Sequence, residues 1–278
     1  MYLGYNTNGF AHHRLEDAIE IIADLGYQGV GLTVDYTTLN VLEPGWERKA
    51  ERLRHQLEKH RLRVVIETGA RFLLDPRRKH QPTLVSPTEP ERVARLHFLQ
   101  ECIRLASLLH ADAVSFWSGT PEAPVPGEDS FSHLVFACQQ LCFFAQDYGV
   151  RLAFEPEPGM LIDSMATFND FDLLVDLNLP NFGLTIDIGH LVCQGEVPAS
   201  NAIRPWGHKL WNVHIEDMKP GVHDHLMFGE GAVDFADVFA ALRAIDYAGG
   251  VFVELSRHSH DAVETARKSI AFLRQLMG

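Results

Sequence analysis

Eight times along the chain, a short apolar run rich in β-branched residues gives way to a longer stretch whose apolar residues recur with helical period. That alternation constrains the fold more than any other feature. A strand that is apolar on both faces must be covered on both, and a helical crossover is how the chain returns to lay the next strand parallel to the last. The predicted strands are 2–6 (YLGYN), 29–34 (GVGLTV), 63–67 (RVVIE), 112–117 (DAVSFW), 151–155 (RLAFE), 183–187 (GLTID), 211–215 (WNVHI) and 250–254 (GVFVE). Helices are predicted over 15–26, 46–60, 90–110, 130–149, 167–178, a weaker segment near 200–210, 234–247 and 261–277. Gly26 and Gly149 follow helical runs as C-terminal caps do, Pro90 suits a first helical turn, and Asp234 and Thr167 are N-cap residue types.

Eight strand–helix pairs in 278 residues leave little room for a second domain, so residues 1–278 are expected to form a single (β/α)₈ TIM barrel. A doubly wound sheet is the competing fold, disfavoured because no GxGxxG turn follows an early strand. The longest irregular stretch, 69–89, is long enough for an active-site loop or lid.

Charge narrows the function classes. With 24 Lys+Arg against 37 Asp+Glu, a formal charge of −13 repels polyanions, so neither nucleic acid nor an anionic membrane surface is expected as a main partner. The basic run RRK (77–79) could still hold one phosphate. No apolar run approaches the roughly 20 residues that span a bilayer, and the N-terminus lacks the basic-then-apolar pattern of a signal peptide. Cys102, Cys138, Cys142 and Cys193 fit neither a disulfide framework nor a paired CxxC zinc site, which points to a reduced, cytoplasmic protein.

In a barrel, chemistry gathers where the strands finish. Period-two alternation along the last four strands turns Leu152, Phe154, Leu184, Ile186, Val213, Ile215, Val251 and Val253 outward. It leaves Glu155, Asp187, His214 and Glu254 facing inward, each at or near its strand's C-terminal end. Three converging carboxylates repel one another unless a cation lies between them. Three oxygen donors with one imidazole suit one divalent ion: Mn²⁺ first, with Mg²⁺, Co²⁺ or Zn²⁺ as alternatives. The ordinary reading of any one of these residues, a strand-end group capping a helix or pairing with Lys or Arg, does not explain four at one depth on successive strands.

The segments RLAFEPEPG, GLTIDIGH, NVHIED and FVELSRH resemble the strand-end motifs of the xylose-isomerase-like barrel superfamily, and within it the sugar-phosphate isomerase/epimerase group. The likeness runs over the whole chain and is most specific in its C-terminal half. It implies that Glu155, Asp187, His214 and Glu254 hold one metal, that Glu155 and Glu254 also transfer protons, and that His190 touches a substrate oxygen. Relatives of this kind often form homodimers or homotetramers. The superfamily's three-zinc DNA-repair endonucleases share His190 and a late histidine resembling His225. Trp117, however, stands where they place a zinc-binding histidine, and 66–76 supplies no other.

The expected activity is isomerisation or epimerisation of a sugar, phosphorylated or not, by proton transfer through a metal-bound enediolate. A dehydratase or lyase acting on a keto-inositol, dehydroshikimate-like or 3-keto-glycoside substrate uses the same chemistry and is the alternative. A non-catalytic metal-binding barrel is the third reading. Candidate substrate contacts are Glu157, Lys219, Trp117, Glu67, Arg71 and His225, with Asn6, His12 and His13 as weaker ones. Glu67 and Arg71 could instead pair with each other. His223 and His225 are read as substrate contacts or loop packing, with a second metal site as the alternative.

Overall fold

The computed structural model describes residues 1–121, 129–175 and 179–277. In chain order the first seven strands are β1 (Tyr2–Asn6), β2 (Gly29–Thr33), β3 (Arg63–Glu67), β4 (Val114–Phe116), β5 (Leu152–Phe154), β6 (Phe182–Asp187) and β7 (Leu210–Ile215). A hairpin of β8 (Asp217–Lys219) and β9 (Val222–Leu226) follows, and then β10 (Gly250–Val253). Eight of these close a parallel barrel in the order β1-β10-β7-β6-β5-β4-β3-β2; the hairpin stands apart as an antiparallel pair. The (β/α)₈ expectation holds. The hairpin was not predicted, because VHDHL lacks the apolar alternation that marks a strand.

Nine α-helices are described: α1 (Leu15–Asp24), α2 (Trp46–His60), α3 (Glu89–Leu109), α4 (Asp129–Asp147), α5 (Met165–Val175), α6 (Ile188–Cys193), α7 (Ser200–Trp206), α8 (Phe235–Ala244) and α9 (Ala262–Met277). The predicted end of the fifth helix, 176–178, lies outside the described residues. Asp234 caps α8, its carboxylate accepting from the Asp237 amide at 3.1 Å. Thr167 does not cap α5. The helix starts two residues earlier, and the Ser164 hydroxyl accepts the Thr167 amide instead. The short α6 begins directly where β6 ends, too abruptly for periodicity to register.

The main core lies between the strands and the helices, where the outward-facing Phe154, Leu184, Ile186, Val213, Ile215, Val251 and Val253 are buried. Inside the barrel, Tyr2, Val65 and Phe252 form a separate apolar plug. A Cβ at Gly4 would overlap the Phe252 ring, and one at Gly31 would overlap the Asn6 amide, so both positions require glycine for space rather than for φ. Above the plug the interior turns polar: the Ser115 and Thr185 hydroxyls meet at 2.9 Å, and the ionisable residues lie beyond them.

Phe154 is fully buried at the end of β5, with ring centroids 5.2 Å from Phe116, 5.0 Å from Phe171 and 5.8 Å from Phe168. Phe154→Ala should cost about 3–5 kcal/mol, read as a lowered midpoint in urea unfolding. A midpoint unchanged from the parent would show that this cluster does not hold β5 in place.

Candidate metal centre and active site

Four neighbouring barrel strands, in the order β10-β7-β6-β5, carry Glu254, His214, Asp187 and Glu155 at or just past their C-terminal ends. One ligand-type atom from each lies within 4.8 Å of the others. The β6–β7 register sets Asp187 beside His214, and the β10–β7 register aligns Phe252 with His214, which brings Glu254 to the rim. His214 is the hub: its Nδ1 is 3.0 Å from Glu155 Oε1, 3.0 Å from Glu254 Oε2 and 3.9 Å from Asp187 Oδ2.

The other His214 nitrogen is held from across the barrel. Its Nε2–H donates to Glu67 Oε1 at 2.9 Å, and the Asn212 amide donates to the same oxygen at 3.1 Å. β3 and β7 lie diametrically opposite in the strand order, so Glu67 reaches through the barrel mouth. A carboxylate backing one nitrogen fixes the ring and leaves the other free to act as a ligand. Arg71 pairs not with Glu67 but with Asp35, at 3.0 Å.

Asp187 has two tasks. Oδ1 accepts the His190 amide at 2.8 Å and so caps α6, while Oδ2 is buried with no hydrogen-bond partner among the described residues. Glu254 accepts from Asn8 Nδ2 at 2.8 Å and from Asn6 Nδ2 at 3.3 Å. Burial raises the Glu155 carboxyl to about 7, against the pull of His214. Burial also works to raise Glu254, but His214, His225 and His190 hold that carboxyl below its usual range. Burial disfavours charge on His214 as well, and the surrounding Glu67, Glu155 and Glu254 overcome it, so its pKa stands well above the ordinary value. A buried carboxylate oxygen without a donor, two glutamates and a backed imidazole form a donor set that suits a divalent cation.

Glu155, His214 and Glu254, though not Asp187, line a cavity of about 480 Å³, as do Glu67, Arg71, Trp117, Glu157, His190 and His225. The Arg95 guanidinium lies over the Trp117 ring, 4.3 Å from its centroid, and the His80 ring stands perpendicular to it with centroids 5.4 Å apart. Burial raises the Glu157 carboxyl well above its ordinary range. His190 is buried, and burial lowers its pKa to about 4, so the ring is neutral. Of the 69–89 stretch, Gly69, Arg71, Phe72, Lys79 and His80 reach the cavity wall.

Lys219 is not brought into this group. It stands exposed on β8, because the strand turns Met218 inward and Lys219 out. His12 is exposed and His13 packs on Phe10, so neither lines the cavity.

Sequence reasoning missed Asn8, in a 3₁₀ turn (Thr7–Phe10) too short to carry a period, and Glu216, which it could have found. Glu216 continues the inward set Asn212, His214 by the same alternation. It is fully buried. Asp217 was also missed; it accepts the amides of Met218, Gly229 and Val233 and ties the hairpin to the turn before α8.

Comparison with known proteins bears on the family and the fold. An L-ribulose-5-phosphate 3-epimerase of Shigella boydii is 25% identical over 242 residues, covering 86% of this chain and 81% of that one. An uncharacterized protein of Methanocaldococcus jannaschii is 28% identical over 141 residues, 50% of this chain and 46% of that one. Among solved structures, the D-allulose 3-epimerase of a Methylomonas species in complex with D-allulose superposes with a TM-score of 0.78 at 21% identity, over 99% of this chain and 96% of that one. The IOLI protein with a bound zinc atom superposes at 0.79 with 18% identity, over 100% and 98%. At these identities the structural matches establish the fold alone. A family model described as a xylose isomerase-like TIM barrel matches residues 19–276, nearly the whole chain. The protein belongs to the xylose isomerase-like TIM barrel family.

Proposed function

We propose that the chain, an enzyme of the sugar isomerase and epimerase class, moves a proton at the carbon beside the carbonyl of a ketose or keto-sugar. The observation that carries this reading is the convergence of Glu155, Asp187, His214 and Glu254 beside a polar cavity of sugar size, which all of them but Asp187 line. These four would hold a divalent ion, with Mn²⁺ favoured over Mg²⁺, Co²⁺ and Zn²⁺ by the three carboxylates. When bound, the ion supplies Lewis-acid polarisation of the substrate oxygens, which acidifies the neighbouring C–H.

The rest of the work falls to side chains. One of Glu155 and Glu254 removes the proton. The other returns it, to the neighbouring atom in an isomerisation or to the opposite face in an epimerisation. Asn6 and Asn8 orient Glu254 by donating to both of its oxygens. Glu67 keeps the His214 ring in place from behind. Neutral His190 is set to donate to or accept from a substrate oxygen, and Glu157 to hold a hydroxyl. Trp117, braced by Arg95 and His80, gives the sugar an apolar wall. Four unpaired cysteines suit a reducing cytoplasm.

The test is a deuterium-exchange screen of ketoses, ketose phosphates, keto-inositols and keto-glycosides with manganese-loaded enzyme. Exchange into a product of unchanged mass is expected. A new ultraviolet-absorbing enone would indicate elimination instead, and no exchange with any of them would end the proposal. Glu155→Gln and Glu254→Gln should each lower turnover by about 10³-fold or more; substantial activity left in either would remove that residue from proton transfer. Glu67→Gln should weaken metal affinity by about 10–100-fold, since it loosens the ring behind the ligand nitrogen. Calorimetric titration of the chelator-stripped variant checks this, and an affinity equal to the parent's would refute it.

A further inference from the structure

Behind the cavity wall lies a buried charge for which proton transfer at the substrate carbon has no use. Arg95, on α3, is fully buried. Its Nη2 donates to the Thr68 carbonyl at 2.9 Å, while Nε and Nη1 have no partner and no carboxylate pairs with the guanidinium among the described residues. Burial lowers its pKa only to about 10, so it stays charged at neutral pH. In place of an anion it has two aromatic rings, with centroids 4.3 Å away for Trp117 and 5.1 Å for Phe98.

A cation is a poor way to fill such a space. Desolvating a charge without an anion beside it is strongly unfavourable, and an apolar side chain of similar volume would pack there without that penalty. Stability alone therefore does not account for Arg95.

Its contacts do. Trp117 and Thr68 both line the cavity, whereas Arg95 itself does not. Thr68 directly follows Glu67, the carboxylate behind His214, and the Thr68 hydroxyl donates to the Ser115 carbonyl at 2.8 Å, which ties the ends of β3 and β4 together. One residue on, the Gly69 carbonyl accepts from His80 Nδ1–H at 2.8 Å, and the His80 ring stands perpendicular to the indole. His80 is held in the left-handed region at φ 66°, a conformation that persists in a residue with a β-carbon only where the surroundings enforce it. Burial lowers its pKa to about 4, so the ring is neutral and Nε2 is left as an acceptor. Two consecutive carbonyls thus anchor the two side chains that grip Trp117.

Resting on the sugar-enzyme reading above, we propose that Arg95 is a positioning residue whose cation locks the Trp117 indole, with His80 against it, into one rigid wall that sets how tightly the cavity holds its ketose. Arg95 acts through Trp117 and does not meet the sugar. Its effect falls on binding and spares proton transfer, because Glu155 and Glu254 are set by their strands and by His214, Asn6 and Asn8. Removing the charge should loosen the wall and also lift the desolvation penalty, so affinity falls while stability holds or rises.

Arg95→Met and Arg95→Lys test this, each made in the parent and in a Trp117→Phe background. Thermal melting followed by circular dichroism should give Arg95→Met a Tm equal to or above the parent's. Acrylamide quenching of the Trp117 emission is read as the difference between each protein and its Trp117→Phe counterpart. It should be steeper in Arg95→Met and closer to the parent in Arg95→Lys, which keeps the cation. In the deuterium-exchange assay, with the ketose or keto-sugar that exchanges fastest, Arg95→Met should raise KM about tenfold and leave kcat within about threefold. In the Trp117→Phe background the same change should move KM by less than about twofold, since the two residues act as one. A Tm clearly below the parent's would make Arg95 a residue that holds the fold and would overturn the proposal. Unchanged quenching would do the same, as would a KM effect that persists in full without Trp117. If the parent exchanges nothing, the proposed function falls by itself, and melting and quenching still decide the role of Arg95.

Discussion

Three carboxylates gathered around one buried imidazole are the constraint on which the rest of the site depends. Glu155, Asp187 and Glu254 bring negative charge together where water is largely excluded, and such groups coexist only with positive charge among them. His214 answers part of that demand. Glu67 holds its ring from the opposite wall and Asn212, on the same strand as His214, donates to the same Glu67 oxygen, so the other ring nitrogen faces the carboxylates. The crowding of negative charge and a geometry that would suit a cation thus arise from the same few contacts.

The barrel makes this arrangement inexpensive in conformational terms. Each of the four converging side chains stands at or just past the C-terminal end of a strand whose outward neighbours are locked into the helix-facing core. Positioning is inherited from packing. Buried Phe154, Val253, Ile186 and Val213 immediately precede Glu155, Glu254, Asp187 and His214 and anchor them. Glycines at positions 4 and 31 let ring and amide groups fill the lower interior, and the charged layer rests on that filled base.

Above this layer the loops decide what the site meets. The stretch after β3 contributes Arg71, Phe72, Lys79 and His80 to the cavity wall, and the β8–β9 hairpin contributes His223 and His225. The hairpin is held by Asp217, whose three amide contacts pin it to the turn before α8, and by the Arg257–Asp224 pair. Its histidines are therefore presented by a fastened element.

Local pattern was enough to read the barrel and its four strand-end ligand types. Period-two alternation and helical period are properties of adjacent residues, and closing a sheet leaves them intact. The same alternation would have put Glu216 among the inward residues had it been carried past Ile215. What sequence could not determine is which groups meet across the closed barrel. Glu67 and Arg71 are four residues apart and looked like partners, but β3 lies opposite β7. Glu67 therefore backs His214 from 147 positions away, and Arg71 turns to Asp35. Asn8 finds Glu254 only because β1 closes the sheet against β10. The hairpin carries no apolar stripe, so its pairing and the convergence of its histidines on His190 exist only in three dimensions. Periodicity reports which way a residue faces; chain closure decides what it faces.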